Sequence, residues 1–215
     1  MPIAGFDIGG THARIRVFDD AFSEVVYEER RRIRGATSPG QIVSTIKEML
    51  AEAPDVVHVG VGFAGLLSAD GRTVHNSPNL HWRNIEFGDL LDEASPGHHF
   101  AIANDLNAML WGEHRRGACQ DADNALAVYV GTGIGGAIML DGKLLLGAGG
   151  KAGEIGHTKV VVGGRSCGCG GHGCVEAYAG GRQLEAMAAE VRPELTDDLA
   201  DLAKADQLSQ EDENV

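Results

Sequence analysis

Apolar and polar positions along the chain predict short strands and amphipathic helices in alternation. Residues 3–6 and 15–18 are apolar runs on either side of a glycine pair. Two such runs joined by a glycine turn predict a β-hairpin. A third strand with a charged edge is predicted between Val25 and Ile33.

Helix signals come after this hairpin. Ser38, Pro39 and Gln41 have the order of a capping box with proline in the first turn, which predicts a helix start. The apolar residues beyond them share one face of that helix: Ile42, Ile46, Met49 and Leu50. Residues 56–63 predict a central strand buried on both faces. Residues 65–82 are loop-like, and residues 87–93 predict a short helix.

The second half of the chain repeats the strand–glycine–strand pattern. Residues 125–130 and 135–140 flank a glycine-rich turn, as in the first hairpin. This repetition predicts two related domains with a boundary near Asn104, covering 1–104 and 105–196. Residues 175–191 predict one helix ended by Pro193. The acidic residues 197–215 predict a disordered tail.

Composition narrows the function classes. The formal net charge of −13 argues against a nucleic-acid partner, because such binding rests on cationic contacts to phosphate. No apolar run is long enough to span a bilayer, and the first residues lack the features of a signal peptide. Cysteines used as reduced metal ligands would suit a cytoplasmic protein.

Two glycine turns are candidate phosphate-binding loops. The first contains Asp7, Gly9, Gly10 and Thr11. Its backbone amides and hydroxyl are suited to phosphate oxygens, and its carboxylate is suited to hydrated Mg²⁺. An ordinary hairpin turn is the alternative, but Gly131, Thr132 and Gly133 repeat the same set. Neither turn fits a Rossmann or a Walker A pattern.

A cluster of cysteines and histidines predicts a metal site. Cys167, Cys169 and Cys174 lie among glycines, with His157 upstream. Zinc favours four sulphur or nitrogen ligands in a closed tetrahedral site, so these four residues predict structural Zn²⁺ in the loop 157–176. His172 and Cys119 compete with His157 for the fourth position. A disulfide with a spare thiol is the alternative.

Asp105 is the candidate general base. It comes directly after the strand predicted at residues 100–103 and begins a helical pattern, a position that α/β folds use for ligands. An aspartate before a helix is often only its N-cap. The neighbouring amides of Asn104 and Asn107 favour the functional interpretation.

Five motifs together resemble the ROK family of sugar kinases and repressors, from residue 3 to about residue 190. Asn79-Leu80-His81-Trp82-Arg83 is also similar to a segment of the family's bacterial glucokinases. The five motifs are Asp7-Ile8-Gly9-Gly10-Thr11, Asn104-Asp105-Leu106-Asn107-Ala108, Gly131-Thr132-Gly133-Ile134-Gly135-Gly136, Glu154-Ile155-Gly156-His157 and Cys167-Gly168-Cys169-Gly170-Gly171-His172-Gly173-Cys174-Val175-Glu176.

The resemblance implies a fold and a reaction. The fold is α/β, of the ribonuclease-H-like (actin/hexokinase-type) two-domain kind, with the second domain truncated. The reaction is transfer of the γ-phosphate of ATP, with Mg²⁺, to the 6-hydroxyl of a hexose, with Asp105 as base. The resemblance places sugar hydroxyls at Gly65, Asn79, Asn104, Asp105, Glu154, His157 and Glu176.

Departures from the family pattern leave alternatives open. His12 comes after the first glycine turn where Lys or Asn is common, and Ala64-Gly65 replaces a Pro-Gly pair. The chain ends before the family's last glycine-rich segment, which contacts adenosine. A silent sugar- and zinc-binding protein is therefore one alternative to a glucokinase. A sugar-sensing regulator is another, although no helix-turn-helix segment precedes Ile3. Glucose is the favoured hexose, polyphosphate serves as donor in some relatives, and a homodimer stays open.

Overall fold

The computed structural model describes residues 1–33 and 38–191 and forms two compact units. Among these residues, the first unit holds those in 1–127 and 137–153, and the second holds 128–136 and 154–191. The domain boundary expected near Asn104 stays a prediction. The tail predicted at 197–215 lies outside the described residues.

The described residues contain eleven strands, five α-helices and two short 3-10 helices at Ala148–Gly150 and Ile155–His157. The strands are β1 (Ile3–Ile8), β2 (His12–Phe18), β3 (Val25–Arg32), β4 (His58–Phe63), β5 (Leu66–Leu67), β6 (Val74–Ser77), β7 (Trp82–Ile85), β8 (His99–Asn104), β9 (Ala125–Val130), β10 (Ile134–Leu140) and β11 (Lys143–Leu144). The helices are α1 (Pro39–Glu52), α2 (Phe87–Ala94), α3 (Asp105–Arg116), α4 (Glu176–Ala179) and α5 (Gly181–Val191).

A five-stranded sheet in the order β3-β2-β1-β4-β8 organises the first unit. The predicted hairpin is confirmed, because β1 pairs antiparallel with β2, and β3 extends it antiparallel. Strands β4 and β8 join β1 in parallel. The carboxyl ends of the three parallel strands therefore meet at one edge, where β1 leads into the glycine turn and β8 into Asp105.

One face of this sheet carries the hydrophobic core. Alternate residues of β1 and β2 are fully or almost fully buried, among them Phe6, Ile8 and Ile15. Helix α1 adds Ile46 and Met49 to the same cluster. The predicted capping box is confirmed: Ser38 Oγ accepts from Gln41 N at 3.3 Å, and Gln41 Oε1 accepts from Ser38 N at 2.9 Å.

The loop predicted at residues 65–82 is wrong in part. Strands β5, β6 and β7 form a small antiparallel sheet there. Segments of two to four residues are too short to show a period of two in the sequence. Trp82 on β7 is buried against Phe63 and Phe87, with ring centroids 5.4 Å apart in each of the three pairs.

The central strand was predicted to be buried on both faces, but β4 alternates instead. Val59, Val61 and Phe63 are buried, whereas Gly60 and Gly62 on the opposite face are only partly covered. A half-exposed strand is recognised by polar residues at alternate positions, but in β4 two of these positions hold glycine, so the sequence showed no alternation of apolar and polar residues there.

The prediction of a single helix at 175–191 is wrong, because the helix is interrupted at Gly180. Gly180 has extended backbone between α4 and α5. The first amides of α5 are used by the second glycine turn: Gly181 N donates to Gly131 O at 2.8 Å, and Arg182 N donates to Thr132 O at 3.1 Å. Helical periodicity across the break concealed it from the sequence. No helix of the described residues is long and apolar enough to cross a membrane.

Truncating Ile46 tests the core on α1. Ile46 has no exposed surface, so Ile46→Ala should lower the free energy of unfolding by about 2–5 kcal/mol. Lys47→Ala removes an exposed side chain from the same helix and should change it by less than about 0.5 kcal/mol. Denaturant titrations followed by circular dichroism compare the two. Equal effects would contradict the assigned core face.

Candidate functional site

Asn104 and Asp105 lie where β8 ends and α3 begins. The Asn104 side chain caps the helix, since its Oδ1 accepts from Asn107 N at 3.1 Å. Its Nδ2 donates to Gly65 O at 3.1 Å, which fixes the other side of the amide. The interpretation of Asp105 as the N-cap is therefore wrong. Asn104 has that role, and Asp105 is the first residue of the helix.

The Asp105 carboxylate lies in a partly buried environment beside a second acid. Its Oδ1 accepts a local backbone bond from Leu106 N at 3.0 Å. Burial is the main cause that raises the pKa of Asp105, and the negative charge of Asp7 raises it further. Asp7 pairs in register with Gly62 on β4, and a Cβ on Gly62 would lie 3.8 Å from Asp105 Cα. The carboxyl edge of the sheet thus holds a carboxylate with increased basicity.

The first glycine turn lies at the same edge. Gly9 N donates to His12 O at 3.0 Å, which closes the turn. A Cβ on Gly10 would lie 3.0 Å from Asn79 Cβ, so the turn and Asn79 are in close contact. A Cβ on Gly65 would lie only 2.8 Å from Asn76 O, so a side chain there would need the backbone to move. The structure thus brings together the predicted first-unit residues: Asp7, Gly9, Gly10, Thr11, Gly65, Asn79, Asn104 and Asp105.

Asn107 is a further candidate that the sequence marked only as a neighbour. It is 8% exposed, and its Oδ1 has no hydrogen-bond partner among the described residues. It lines a cleft of ≈ 110 Å³ together with Asn104, Ser68 and Gly71. Its position three residues after the helix cap is the signal that could have placed it beside Asn104.

The second unit contains the predicted metal ligands. Potential ligand atoms of His157, Cys167, Cys169 and Cys174 all lie within 4.8 Å of one another. His157 Nδ1 lies 3.6 Å from Cys167 Sγ, and Cys169 Sγ lies 3.7 Å from Cys174 Sγ. His172 and Cys119, the competing ligands, are outside this group. None of the four cysteines forms a disulfide within the described residues.

The chemistry of this cluster fits a divalent cation. Burial raises the pKa of the Cys167 thiol to about 11, so three clustered thiolates need positive charge to be stable. One positive group is present, since Lys159 Nζ donates to Cys174 Sγ at 2.8 Å. Three thiolates and one imidazole are the donor set of a structural zinc site, in which these four residues would hold the ion. Sequence reasoning missed Lys159, which has no motif of its own.

Glu176 connects the cysteine loop to the second glycine turn. Its Oε2 accepts from Ile134 N at 2.9 Å, and its Oε1 lies 3.8 Å from Cys167 Sγ. A Cβ on Gly133 would overlap the Glu176 carboxylate. Gly131, Thr132 and Gly133 therefore lie against Glu176 and the start of α5, and a side chain at position 133 would require the Glu176 carboxylate to move.

Glu154 is placed beside the metal-binding histidine candidate. Its Oε2 lies 3.8 Å from His157 Nε2, the ring nitrogen that does not face Cys167. The Glu154 side chain is 58% exposed. The Glu154 carboxylate is therefore accessible to a ligand, while Nδ1 of His157 faces the Cys167 thiol.

Known proteins of similar fold and sequence define the class and then the family. The fold is that of ROK hexokinase-type α/β proteins. The model of the ROK family matches residues 3–213, and the chain belongs to this family. A ROK glucokinase from Streptomyces griseus, solved in complex with glucose and AMPPNP, is 37% identical with a TM-score of 0.78, over 90% of this chain and 63% of that one.

Curated relatives include both enzymes and regulators. The glucokinase of Streptomyces coelicolor is 36% identical over 84% of this chain and 56% of its own length. A xylose repressor of Caldicellulosiruptor bescii is 29% identical over 85% of this chain and 47% of its own length. The chain therefore spans about half the length of these relatives.

Replacing one cysteine of the cluster tests the metal site. The protein purified without chelator should contain about one zinc ion per chain, and Cys174→Ser should lose most of it, because a structural site needs all four ligands. Cys119→Ser removes a cysteine outside the cluster and should keep the zinc. Elemental analysis measures both.

Chelation of the wild-type protein completes this test. Structural zinc contributes on the order of 10 kcal/mol to small sites, so its removal should increase amide exchange around residues 157–176. Protein without zinc, or exchange that chelation leaves unchanged, would contradict the assignment.

Proposed function

We propose that the chain carries out ATP-dependent phosphorylation of a hexose at its 6-hydroxyl, as a glucokinase-like enzyme. The observation that carries the proposal is the position of Asp105 at the sheet edge that also holds Asp7 and the first glycine turn. A base and a phosphate-binding loop at one sheet edge are the main parts that phosphoryl transfer requires. The similarity to glucokinases supports glucose as the hexose and ATP as the donor.

Asp105 acts as the general base. It accepts the proton of the sugar 6-hydroxyl as the hydroxyl oxygen attacks the γ-phosphate of ATP. A carboxylate with a raised pKa is the stronger base, and Asp105 gains this property from burial and from Asp7. The bond between Asn104 and Gly65 keeps the start of α3 in place, so the carboxylate is held at the sheet edge.

The two glycine turns bind the phosphates. In the first unit these residues are Gly9, Gly10 and Thr11, and in the second unit they are Gly131, Thr132 and Gly133. Glycines let backbone amides approach phosphate oxygens closely. Asp7 would hold Mg²⁺, which neutralises charge that develops on the phosphates during transfer.

Amide and carboxylate side chains bind the sugar hydroxyls. Asn79, Asn104 and the backbone of Gly65 have this role in the first unit, with Asp105. Glu154, His157 and Glu176 have it in the second. Such groups suit vicinal hydroxyls because each offers two hydrogen-bonding positions. Zinc held by His157, Cys167, Cys169 and Cys174 is structural and orders the loop that carries Glu176.

Two alternatives keep sugar binding but lack phosphorylation. One is a silent protein that binds sugar and zinc without turnover. The similarity to a xylose repressor favours a sugar-sensing regulator. Both predict that hexose stays unmodified, so turnover separates them from the kinase. We also propose a cytoplasmic location, in which the thiols stay reduced.

A substrate panel tests the proposed reaction. The zinc-loaded chain should release ADP with ATP and glucose, and more slowly with mannose, N-acetylglucosamine or fructose, because the similarity to glucokinases favours glucose. A coupled assay of ADP release measures this. Calorimetric binding of glucose without turnover of any hexose would instead support the silent alternative.

Replacing the proposed base gives the second test. Asp105→Asn keeps the shape but removes proton acceptance, so kcat should fall by about a hundredfold or more while glucose affinity changes little. Asp55→Asn neutralises an exposed aspartate and should leave kcat unchanged. Steady-state kinetics and calorimetry with glucose compare the variants. Full activity of Asp105→Asn would exclude the role of base.

The pH dependence of kcat/KM gives the third test. Asp105 must be ionised to accept a proton, so activity is lost as pH falls through its pKa. Because that pKa is raised, the acid limb should lie above the ordinary aspartate value of about 3.9. A limb at the ordinary value, in rate profiles corrected for protein stability, would contradict a buried base.

A further inference from the structure

Alternation along β3 sends its three arginines to opposite faces of the sheet. Arg31 faces α1 and pairs with Glu48 and Glu52 of that helix and with Glu29 of its own strand. Arg30 and Arg32 face the other side and are exposed. Neither forms an ion pair with any carboxylate of the described residues. The charge of Arg31 is thus compensated by carboxylates, whereas the charges of Arg30 and Arg32 on the same strand are not.

The uncompensated pair belongs to a larger group that we call the β2–β3 basic cluster: His12, Arg14, Arg30 and Arg32. Arg14 is the cross-strand partner of Arg30, and His12 is the partner of Arg32. Adjacent strands lie about 4.8 Å apart and alternate residues about 6.8 Å apart, so these four positions form one compact patch. The ion pair that Arg14 forms is weak, with its Nε 3.9 Å from Glu28 Oε1.

His12 connects this cluster to the first glycine turn without neutralising it. Its Nδ1 lies 3.0 Å from Thr11 Oγ1 and 3.2 Å from Arg30 Nη2. Desolvation and then the charges of Arg30, Arg32 and Arg14 lower the pKa of His12. A neutral imidazole therefore accepts from Arg30, which orients the guanidinium and leaves its positive charge free for a ligand.

The register also places the cluster beside the proposed reaction site. Gly62, Asp7, Arg14 and Arg30 are successive cross-strand partners, one from each of β4, β1, β2 and β3. His12 and Arg32 lie at the end of the sheet that carries Gly9–Thr11, and Ile33 N donates to Thr11 O at 2.8 Å. The proposed function uses none of the four basic residues.

We propose that the β2–β3 basic cluster is a binding site for a linear chain of linked phosphates, continuous with the phosphate-binding turn at Gly9–Thr11. This inference rests on the proposed function for the role of that turn. Several guanidinium groups at short spacing suit an anion with charges at short spacing, because each forms charge-assisted bonds to phosphate oxygens. This chain of phosphates is that of a nucleoside triphosphate or of inorganic polyphosphate.

A nucleic acid fits these observations less well. Base recognition on single strands relies on aromatic platforms, and the solvent-facing positions next to the cluster are Arg16 on β2 and Glu28 on β3. The chain as a whole is acidic, with a net charge of −13, which repels a long polyanion beyond the cluster. A short run of phosphates needs only the local patch.

The experiment compares two double variants with the same change in charge. Arg30→Gln with Arg32→Gln removes two cations of the cluster. Arg115→Gln with Arg116→Gln removes two at the end of α3, where their guanidiniums lie over the Trp111 and Phe22 rings. Calorimetry measures binding of inorganic tripolyphosphate, longer polyphosphate and ATP to wild type and to both variants.

The cluster variant should bind at least one of these ligands about tenfold or more weaker per guanidinium lost, and the control should bind within about threefold of wild type. Loss for polyphosphate alone identifies the inorganic chain as ligand, and loss for ATP identifies the nucleotide. Unchanged binding of every ligand would overturn the proposal. So would an equal loss for a single-stranded RNA, which would mark a generic polyanion surface.

A second readout reports occupancy directly. A bound phosphate chain favours the imidazolium form, so the pKa of His12 followed by NMR should rise on ligand addition in wild type and in the control variant. Neither readout needs turnover. If the protein binds phosphate chains through the cluster but has no turnover, the binding site is supported and the proposed kinase activity is contradicted. If the protein has turnover but the cluster variant binds as wild type does, the kinase activity is supported and the binding site is contradicted.

Discussion

The parallel register of β1, β4 and β8 is the constraint on which the first unit depends. It ends three strands at one edge, so the glycine turn after β1 and the start of α3 after β8 lie together. The exposed Asp7 and the partly buried Asp105 consequently lie at the same edge, and burial and the negative charge of Asp7 raise the pKa of Asp105. Strands β2 and β3 extend the sheet antiparallel to β1, and their register places Arg14 of the basic cluster opposite Asp7.

In the second unit, the structure depends on glycines that let neighbouring groups approach the backbone closely. A Cβ on Gly156 would overlap Ile134 O, and one on Gly133 would overlap the Glu176 carboxylate. Glu176 thereby holds Ile134 N on one side and lies near Cys167 on the other. The glycine turn, the carboxylate and the cysteine loop form one connected structure, in which a metal ion would add the remaining crosslinks.

Much of this could be predicted from the sequence, where chemistry or periodicity leaves a local signal. The hairpin, the capping box of α1 and the grouping of His157 with the three cysteines are such cases. The alternative that Asp105 is only an N-cap could not be excluded from the sequence, because Asn and Asp both cap helices and only the hydrogen bond from Asn107 N identifies Asn104 as the cap. The break at Gly180 was also missed, since the amides of α5 are claimed by carbonyls some fifty residues earlier. Long-range pairing of that kind leaves no periodic trace.

The proposed reaction transfers phosphate to the sugar hydroxyl that faces Asp105. Its decisive test is transfer from γ-³²P-labelled ATP to glucose and to 6-deoxyglucose, with chromatography of the sugars. We expect labelled hexose phosphate from glucose and none from 6-deoxyglucose, although both sugars bind. Label on 6-deoxyglucose, or no labelled sugar from a zinc-loaded chain that binds both ATP and glucose, would contradict the proposal.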